Sequence, residues 1–227
     1  MAKIRVLSTL GLAGVLQELA PTLPALDLQL APTQTLMGRI AAGERGDVAI
    51  LTDIAIDELI ASGTLDRTSR MDLARSHVGV AVRQGASRPD IATPEAFVAA
   101  LLGARSVALS RAGASGLYMA GLLDRLGIAD AVYRKAVVVP SGFTGELVAR
   151  GEAELAIQQI SELMAVPGLD ILGRRPQEIE GISVFTAALF AVASDAAAQV
   201  LQALRAAAVL MRQKGLEPVL DQRQVHH

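Results

Sequence analysis

The chain has 227 residues and a formal net charge of −2, and 52% of its residues are apolar while 19% are charged. Such a chain folds as one large domain or two small ones around a core of mainly Ala, Leu and Val. No run of Lys and Arg reaches the length of a nucleic-acid-binding patch, and Trp is absent. Nucleic acid is therefore not an expected partner.

The predicted strands and helices alternate along the chain. The predicted strands cover residues 4–7, 26–31, 47–51, 78–83, 105–109, 137–139, 154–158 and 182–190. The predicted helices cover residues 10–19, 36–42, 56–61, a segment beginning at Thr93, 116–126, 146–150 and 196–214. No strand or helix is predicted for residues 168–181. Strands separated by helices of this length predict an α/β fold with a parallel sheet and right-handed crossovers.

The chain has no cysteine, which excludes disulfides, thiolate catalysis and zinc–cysteine sites. Two of its three histidines, His226 and His227, are the last residues, so His77 is the single internal one. We therefore expect no metal site and no cofactor. The Ala-rich stretch 187–211 contains Asp195 and Arg205 and is not expected to span a membrane.

The basic and apolar N-terminal segment has to be distinguished from a secretory signal peptide. Polar Ser8 and Thr9 interrupt its apolar run and Gln17 ends it early, so we interpret it as a strand turning into a helix. The compartment stays open: periplasmic if a leader was removed, and cytoplasmic otherwise.

Four predicted strand-to-helix junctions carry hydroxyl, amide or glycine residues. In an open α/β sheet, ligands bind outside the carboxyl ends of the strands. A helix that begins there offers free N–H groups and the positive end of its dipole, which suits an anion. The alternative is that each hydroxyl only caps its helix. The junctions are Ser8-Thr9, Thr33-Gln34-Thr35, Gly113-Ala114-Ser115-Gly116 and Ser141-Gly142-Phe143-Thr144.

A series of segments in the same order resembles the molybdate-type solute-binding proteins. They are VLST (6–9), GVLQELAP (14–21), GERGDVAI (43–50), VGVAVR (78–83), GASGLY (113–118), GELVARGEAE (145–154) and KGLEP (214–218). The resemblance implies a type 2 periplasmic-binding-protein fold, in which two Rossmann-like lobes close on an anion around two crossing segments. One lobe would comprise residues 1–80 plus 190–227 and the other 81–189, with crossing strands near 78–83 and 181–189.

The resemblance also implies which positions face the anion. They are Ser8, Thr9, Thr33, Gln34, Ser115, Thr144 or Phe143, and Gln159.

Three departures from the family pattern bear on the ligand. Pro32 stands where the family favours a small hydroxyl residue, Gln159 where the molybdate binders place a tyrosine, and Arg111 where a neutral or acidic residue is commoner. Guanidinium and carboxamide groups suit a planar carboxylate. The alternative is an ordinary surface arginine and two solvated glutamines, Gln158 and Gln159.

Two functions follow as hypotheses. The first is a solute-binding protein that captures a small anion, carboxylate or oxyanion, with the permease of an ABC transporter as a docking partner. The second is an isomerase that shifts a proton and a double bond in an unsaturated tricarboxylic acid, as in the aconitate-isomerase relatives of the family. It needs an acid–base group, for which His77 or an unplaced hydroxyl or carboxylate is the candidate. An effector-binding module of a regulator ranks last, because such modules usually follow a helix-turn-helix.

Overall fold

The computed structural model describes residues 3–219, so His226 and His227 lie outside the described residues. The strands are β1 (Ile4–Ser8), β2 (Leu26–Leu30), β3 (Val48–Thr52), β4 (Met71–Arg83), β5 (Val107–Ser110), β6 (Ala136–Val139), β7 (Leu155–Gln159), β8 (Leu169–Arg174), β9 (Ile182–Leu189) and β10 (Glu217–Pro218). The helices are α1 (Ala13–Leu19), α2 (Thr33–Ala41), α3 (Asp53–Ala61), α4 (Pro94–Gly103), α5 (Ala114–Arg125), α6 (Ala129–Tyr133), α7 (Thr144–Ala149), α8 (Ile160–Leu163), α9 (Ala197–Ala206) and α10 (Ala208–Gln213). The α/β class is confirmed.

The long strand β4 is shared by two sheets. Its first half, up to His77, pairs with β9 and β10, and its second half, from Val78, pairs with β7 and β8. On one side, β1, β2 and β3 are parallel; on the other, β5, β6 and β7 are parallel. The expected parallel pairing therefore holds where strands alternate with helices. It fails for β4, β8 and β9, which form antiparallel pairs.

Each sheet has apolar side chains packed on both faces. The first sheet buries Leu16, Phe185 and Val200 on one face, and Leu36 and Phe190 on the other. The second buries Val80, Phe97 and Met119 on one face, and Val148 and Leu163 on the other. Because burial of apolar surface is the main force for folding, each sheet with its helices has a core of its own.

The chain passes between these two cores along β4 and returns through residues 175–181, which follow β8. Strand β9 then pairs with β3 in the first sheet. How the chain divides into moving lobes, with boundaries expected at 80/81 and 189/190, stays a prediction.

The C-terminal helical region is divided, where one helix over 196–214 was predicted. Helix α9 ends at Ala206 and α10 begins at Ala208, and Leu204 and Met211 both pack in the first core. Within residues 3–219, no helix has the length and apolarity that crossing a membrane requires.

Candidate functional site

The carboxyl ends of the parallel strands in the two sheets face each other. The backbone N–H of Gln34, at the start of α2, donates a hydrogen bond of 3.4 Å to the carbonyl of Ala112, in the loop after β5. Helix α8, after β7, packs against the 3-10 helix Leu10–Leu12 that follows β1. The strand-to-helix junctions of the two sheets therefore line one cleft, as open α/β sheets do at their ligand sites.

Two of the predicted hydroxyls, those of Thr33 and Ser115, are buried there without a partner. Their residues are only 8% and 1% exposed, and neither side-chain oxygen has a hydrogen bond within residues 3–219. They do not cap their helices, since Pro32 and Gly113 occupy the N-cap positions. A buried polar group without a partner is destabilising, so a ligand that supplies one would be favoured.

Ser8 and Thr9 lie at the end of β1 and are also buried. The Ser8 hydroxyl donates to the Thr9 carbonyl at 2.9 Å, and the Thr9 N–H donates to the Ile50 carbonyl at 2.8 Å. The Thr9 side chain makes no cap hydrogen bond to the 3-10 helix that it precedes. Of this pair, the Thr9 hydroxyl is the group left to face a ligand.

Thr144 is held by hydrogen bonds from its own helix to the neighbouring strand. Its N–H and its hydroxyl both donate to Oε1 of Gln158, at 2.7 and 3.0 Å, and the Gln158 amide donates to the Gly142 carbonyl at 3.1 Å. The Gln158 side chain thus accepts hydrogen bonds from the N-terminus of α7, although it lies 14 residues further along the chain. The ligand contact predicted for Thr144 would have to compete with these bonds.

Gln159 ends β7 at the floor of the cleft. Its side-chain nitrogen donates to Oγ of Ser183 at 3.1 Å, while its Oε1 is buried without a partner among the described residues. Two further hydroxyls, those of Ser76 and Ser161, are also buried without a hydrogen-bond partner among the described residues. Ser76 lies opposite Ser183 in the β4–β9 register. The cleft floor is therefore polar and unsatisfied.

Arg111 lies in the same loop as Ala112 and is exposed. Its backbone N–H donates to the Val139 carbonyl at 3.0 Å, whereas its guanidinium makes no hydrogen bond or ion pair with residues 3–219. Its position is at the rim, and its ligand role stays a prediction.

His77 is buried in β4 at the point where this strand passes from one sheet to the other. Its Nδ1 lies 2.6 Å from Oε1 of Glu180, on the returning segment. Its Nε2 lies 3.1 Å from Oε2 of Glu217, without the alignment of a hydrogen bond. Arg174 first, and then His77, lower the pKa of Glu217 to about 2. These contacts favour a role in joining the crossing segments, and the catalytic role stays a prediction.

A His77→Gln substitution separates the two roles. We expect a stability loss of about 1–3 kcal/mol, because Glu180 would lose the hydrogen-bond partner 2.6 Å away. Under the isomerase hypothesis, turnover should fall less than about tenfold when His77 does not transfer the substrate proton, compared with at least about 10²-fold for a general acid–base group. Urea unfolding and initial rates on one preparation measure both, and a 10²-fold rate loss at wild-type stability would make His77 the proton carrier.

Glu162, at the third position of α8, is not among the site residues predicted from the sequence. This carboxyl is 5% exposed, and its burial raises its pKa to about 8, although the N–H of Gln159 and the side chain of Gln158 lower it. An acid three residues after an N-cap is the signal that could have identified it, because an acid there reaches back to the cap N–H. Glu162 is therefore a buried carboxyl with a raised pKa, three residues after Gln159 at the carboxyl end of β7.

Within the described residues, no group of three or more His, Cys, Asp or Glu side chains is placed to hold a metal ion.

Known proteins agree with this architecture. A family model described as bacterial extracellular solute-binding protein matches residues 4–217. The chain belongs to this family. It is 38% identical over 231 residues to an aconitate isomerase of a Pseudomonas species, covering 95% of this chain and 88% of that protein.

Two solved structures show the same fold. The periplasmic molybdate-binding protein of Azotobacter vinelandii superposes with a TM-score of 0.79 at 20% identity, covering 97% of this chain and all of the other. The sulfate-binding protein of Mycobacterium tuberculosis gives a TM-score of 0.71 at 16% identity, covering 96% of this chain and 88% of the other. These matches confirm the predicted family and the predicted type 2 periplasmic-binding-protein fold.

Proposed function

We propose that the chain isomerises an unsaturated polycarboxylate, aconitate in the first instance, by moving one proton in the cleft between its two sheets. The observation that carries the proposal is Glu162, a buried carboxyl directly after the end of β7, in a chain 38% identical to an aconitate isomerase. The reaction needs a group that takes a proton from carbon and returns it, and no redox partner.

The chemistry balances with one proton. A base removes a proton from the CH₂ carbon of aconitate, and the electron pair left behind spreads through the adjacent double bond and its carboxylates. The proton then returns to the far carbon of this allylic system, so the double bond moves and the cis and trans forms interconvert. A general acid–base group works best when its pKa lies near the working pH. Burial raises the pKa of Glu162 to about 8, which fits this task.

The negative charge of the intermediate needs stabilisation by fixed donors. The Ser115 hydroxyl is buried, and it lies in the first turn of α5, a helix of 12 residues whose N-terminus is turned to the cleft. The Thr33 hydroxyl is buried opposite, on α2. Donors held in place before the reaction stabilise developing charge more effectively than mobile water does.

Capture without turnover is the second candidate, and the family match over residues 4–217 favours it. The unpartnered hydroxyls of Thr33 and Ser115 would serve binding equally well. In that case the protein would deliver its ligand, carboxylate or oxyanion, to the permease of an ABC transporter.

Proton NMR of trans-aconitate incubated with the purified protein distinguishes these functions. Isomerisation predicts that the cis form grows in until the ratio of isomers is constant. Capture predicts heat of binding in calorimetry with an unchanged isomer composition. Micromolar binding of molybdate with no heat from aconitate would contradict the carboxylate assignment.

The unpartnered hydroxyls give a further prediction. Thr33→Ala and Ser115→Ala should each weaken aconitate binding by about tenfold or more, because a hydrogen bond to a charged carboxylate contributes about 1.5–3 kcal/mol. Stability should stay nearly unchanged, since neither hydroxyl has a partner in the unliganded protein. Thr93→Ala is the matched control: Thr93 Oγ1 accepts from Ala96 N–H at 3.1 Å, so its loss should cost about 1 kcal/mol of stability and no affinity. Unaltered affinity in both site variants would remove these junctions from the site.

A further inference from the structure

The guanidinium of Arg175, directly after β8, is buried without an acidic partner. The residue is 3% exposed, and its Nε and Nη2 have no hydrogen-bond acceptor within residues 3–219. Its Nη1 lies 3.4 Å from Sδ of Met119, a weak acceptor. Its Cζ lies 4.5 Å from the centre of the Tyr118 ring. An aromatic face attracts a cation but does not accept these two in-plane N–H groups.

This guanidinium remains a cation at neutral pH. Burial lowers the pKa of Arg175 to about 10, which still lies well above 7. The side chain of Tyr118 and then Glu180 favour the cation, but the Glu180 carboxyl is already hydrogen-bonded to His77. A buried charge with no hydrogen-bonded counter-ion is strongly unfavourable, so an anion that enters here would be held firmly.

The guanidinium lies next to the candidate site. Tyr118 and Met119, which it contacts, stand three and four residues after Ser115 and share that face of α5. On its other side lies Gly181, whose carbonyl accepts from the N–H of Val78 at 3.1 Å. Val78 in turn pairs with Gln159 in the β4–β7 register. Arg175 is therefore flanked by the neighbours of two unsatisfied cleft residues.

Gly181 makes room for this arrangement. A Cβ at position 181 would lie 2.6 Å from Nη2 of Arg175 and 2.8 Å from Cδ1 of Tyr118. Real Cβ atoms essentially never lie that close, so a side chain at position 181 would force the guanidinium or the Tyr118 ring to shift. The position of the charge thus depends on a specific residue of the returning segment.

We propose that Arg175 binds a carboxylate of the ligand with its free Nε and Nη2 groups and selects polycarboxylates over ligands with fewer charges. The geometry of two parallel N–H groups matches the two oxygens of a carboxylate. The proposal rests on the function proposed above. It gives the cleft the cationic anchor that the sequence analysis sought at Arg111.

Calorimetry with trans-aconitate and with glutaconate, which lacks one carboxylate, tests the proposal. Arg175→Met should weaken aconitate binding by about 10- to 100-fold, as expected for loss of a charge-assisted pair, and should weaken glutaconate binding less. Arg175→Lys keeps the charge without the paired donors and should give an intermediate loss. Arg125→Met is the matched control. Arg125 is exposed and lies 5.8 Å from the same Tyr118 ring, so affinity should change less than about threefold.

A purely structural role would lower the melting temperature of Arg175→Met and leave the affinity of the folded protein unchanged, which would overturn the proposal. If Arg175→Met does not fold, Gly181→Ala and Arg175→Lys decide, since both retain the buried charge. Wild-type affinity in either of these variants would count against the proposal. The parent protein tests the proposed function separately: if it neither binds nor isomerises aconitate, both ideas fail. If Arg175→Met keeps both turnover and wild-type affinity for aconitate, the proposed function stands and only the role of Arg175 is excluded.

Discussion

Glu162→Gln is expected to slow isomerisation of aconitate about 10²- to 10⁴-fold, the usual contribution of a general acid–base group. Glutamine cannot take the proton, but it has the same shape and is the other residue that suits the third position of a capped helix. Affinity for aconitate should therefore stay within a few-fold of wild type. Initial rates and calorimetry on the same preparations measure the two quantities.

The pH dependence sharpens this prediction. The pKa of about 8 means that the carboxylate form, which accepts the proton, becomes populated as pH rises through 8, so the rate should rise there and then level off. The free energy of unfolding changes with pH in the opposite direction and falls as pH rises. The folded protein holds a proton that the unfolded chain releases above its ordinary carboxyl pKa. This stabilising contribution is present in full below that ordinary value and is lost as pH rises towards 8. Glu162→Gln should abolish both dependences.

Glu146→Gln is the matched control for Glu162. Glu146 is the third residue of α7, as Glu162 is of α8, but it is exposed and forms only a 3.8 Å pair with Arg150. Such exposed pairs contribute about 0.3–0.5 kcal/mol, so rate and stability should change little. A folded Glu162→Gln protein with wild-type turnover would exclude Glu162 as the proton carrier.

Gly116→Ala should destabilise the protein by about 2 kcal/mol and weaken aconitate binding at least tenfold. A Cβ at position 116 would collide with the carbonyl oxygen of Ser110, at the end of β5. The first turn of α5 would have to move away from the strand, and it carries the Ser115 hydroxyl and the N-terminal N–H groups. This loss should outweigh the helix propensity that alanine gains over glycine.

Gly121→Ala in the same helix provides the control for Gly116→Ala. A Cβ there meets only Nη1 of Arg125 at 3.5 Å, an ordinary contact. Alanine should therefore stabilise the helix by about 0.5–1 kcal/mol and leave affinity unchanged. Equal melting temperatures for the two variants would mean that α5 adjusts freely, and would remove the requirement for glycine at position 116.

The local part of the fold could be predicted from the sequence. Short apolar runs, glycines and the Thr93-Pro94-Glu95 helix start are signals that neighbouring residues provide, and they located most strands and helices. The sequence analysis missed β8, because Asp170 and Gly173 interrupt its apolar pattern. It predicted only the second half of β4, since Asp72 and Arg75 make the first half look like a loop.

The part of the candidate site that could not be predicted depends on burial. Charged side chains are usually exposed, so nothing in the sequence indicated that Glu162 and Arg175 are enclosed. The bond between Thr144 and Gln158 likewise joins residues that meet only through the β7–α7 packing. The junction hydroxyls of Thr33 and Ser115 were predictable because strand ends and helix starts are local features.

A crystal structure of the Glu162→Gln protein with trans-aconitate tests the central claim, that one cleft between the two sheets binds the substrate. We expect the ligand at the carboxyl ends of β1 and β5, with carboxylate oxygens about 3 Å from the hydroxyls of Thr33 and Ser115. Aconitate bound elsewhere, or bound in the cleft with both hydroxyls still unpartnered, would contradict the account.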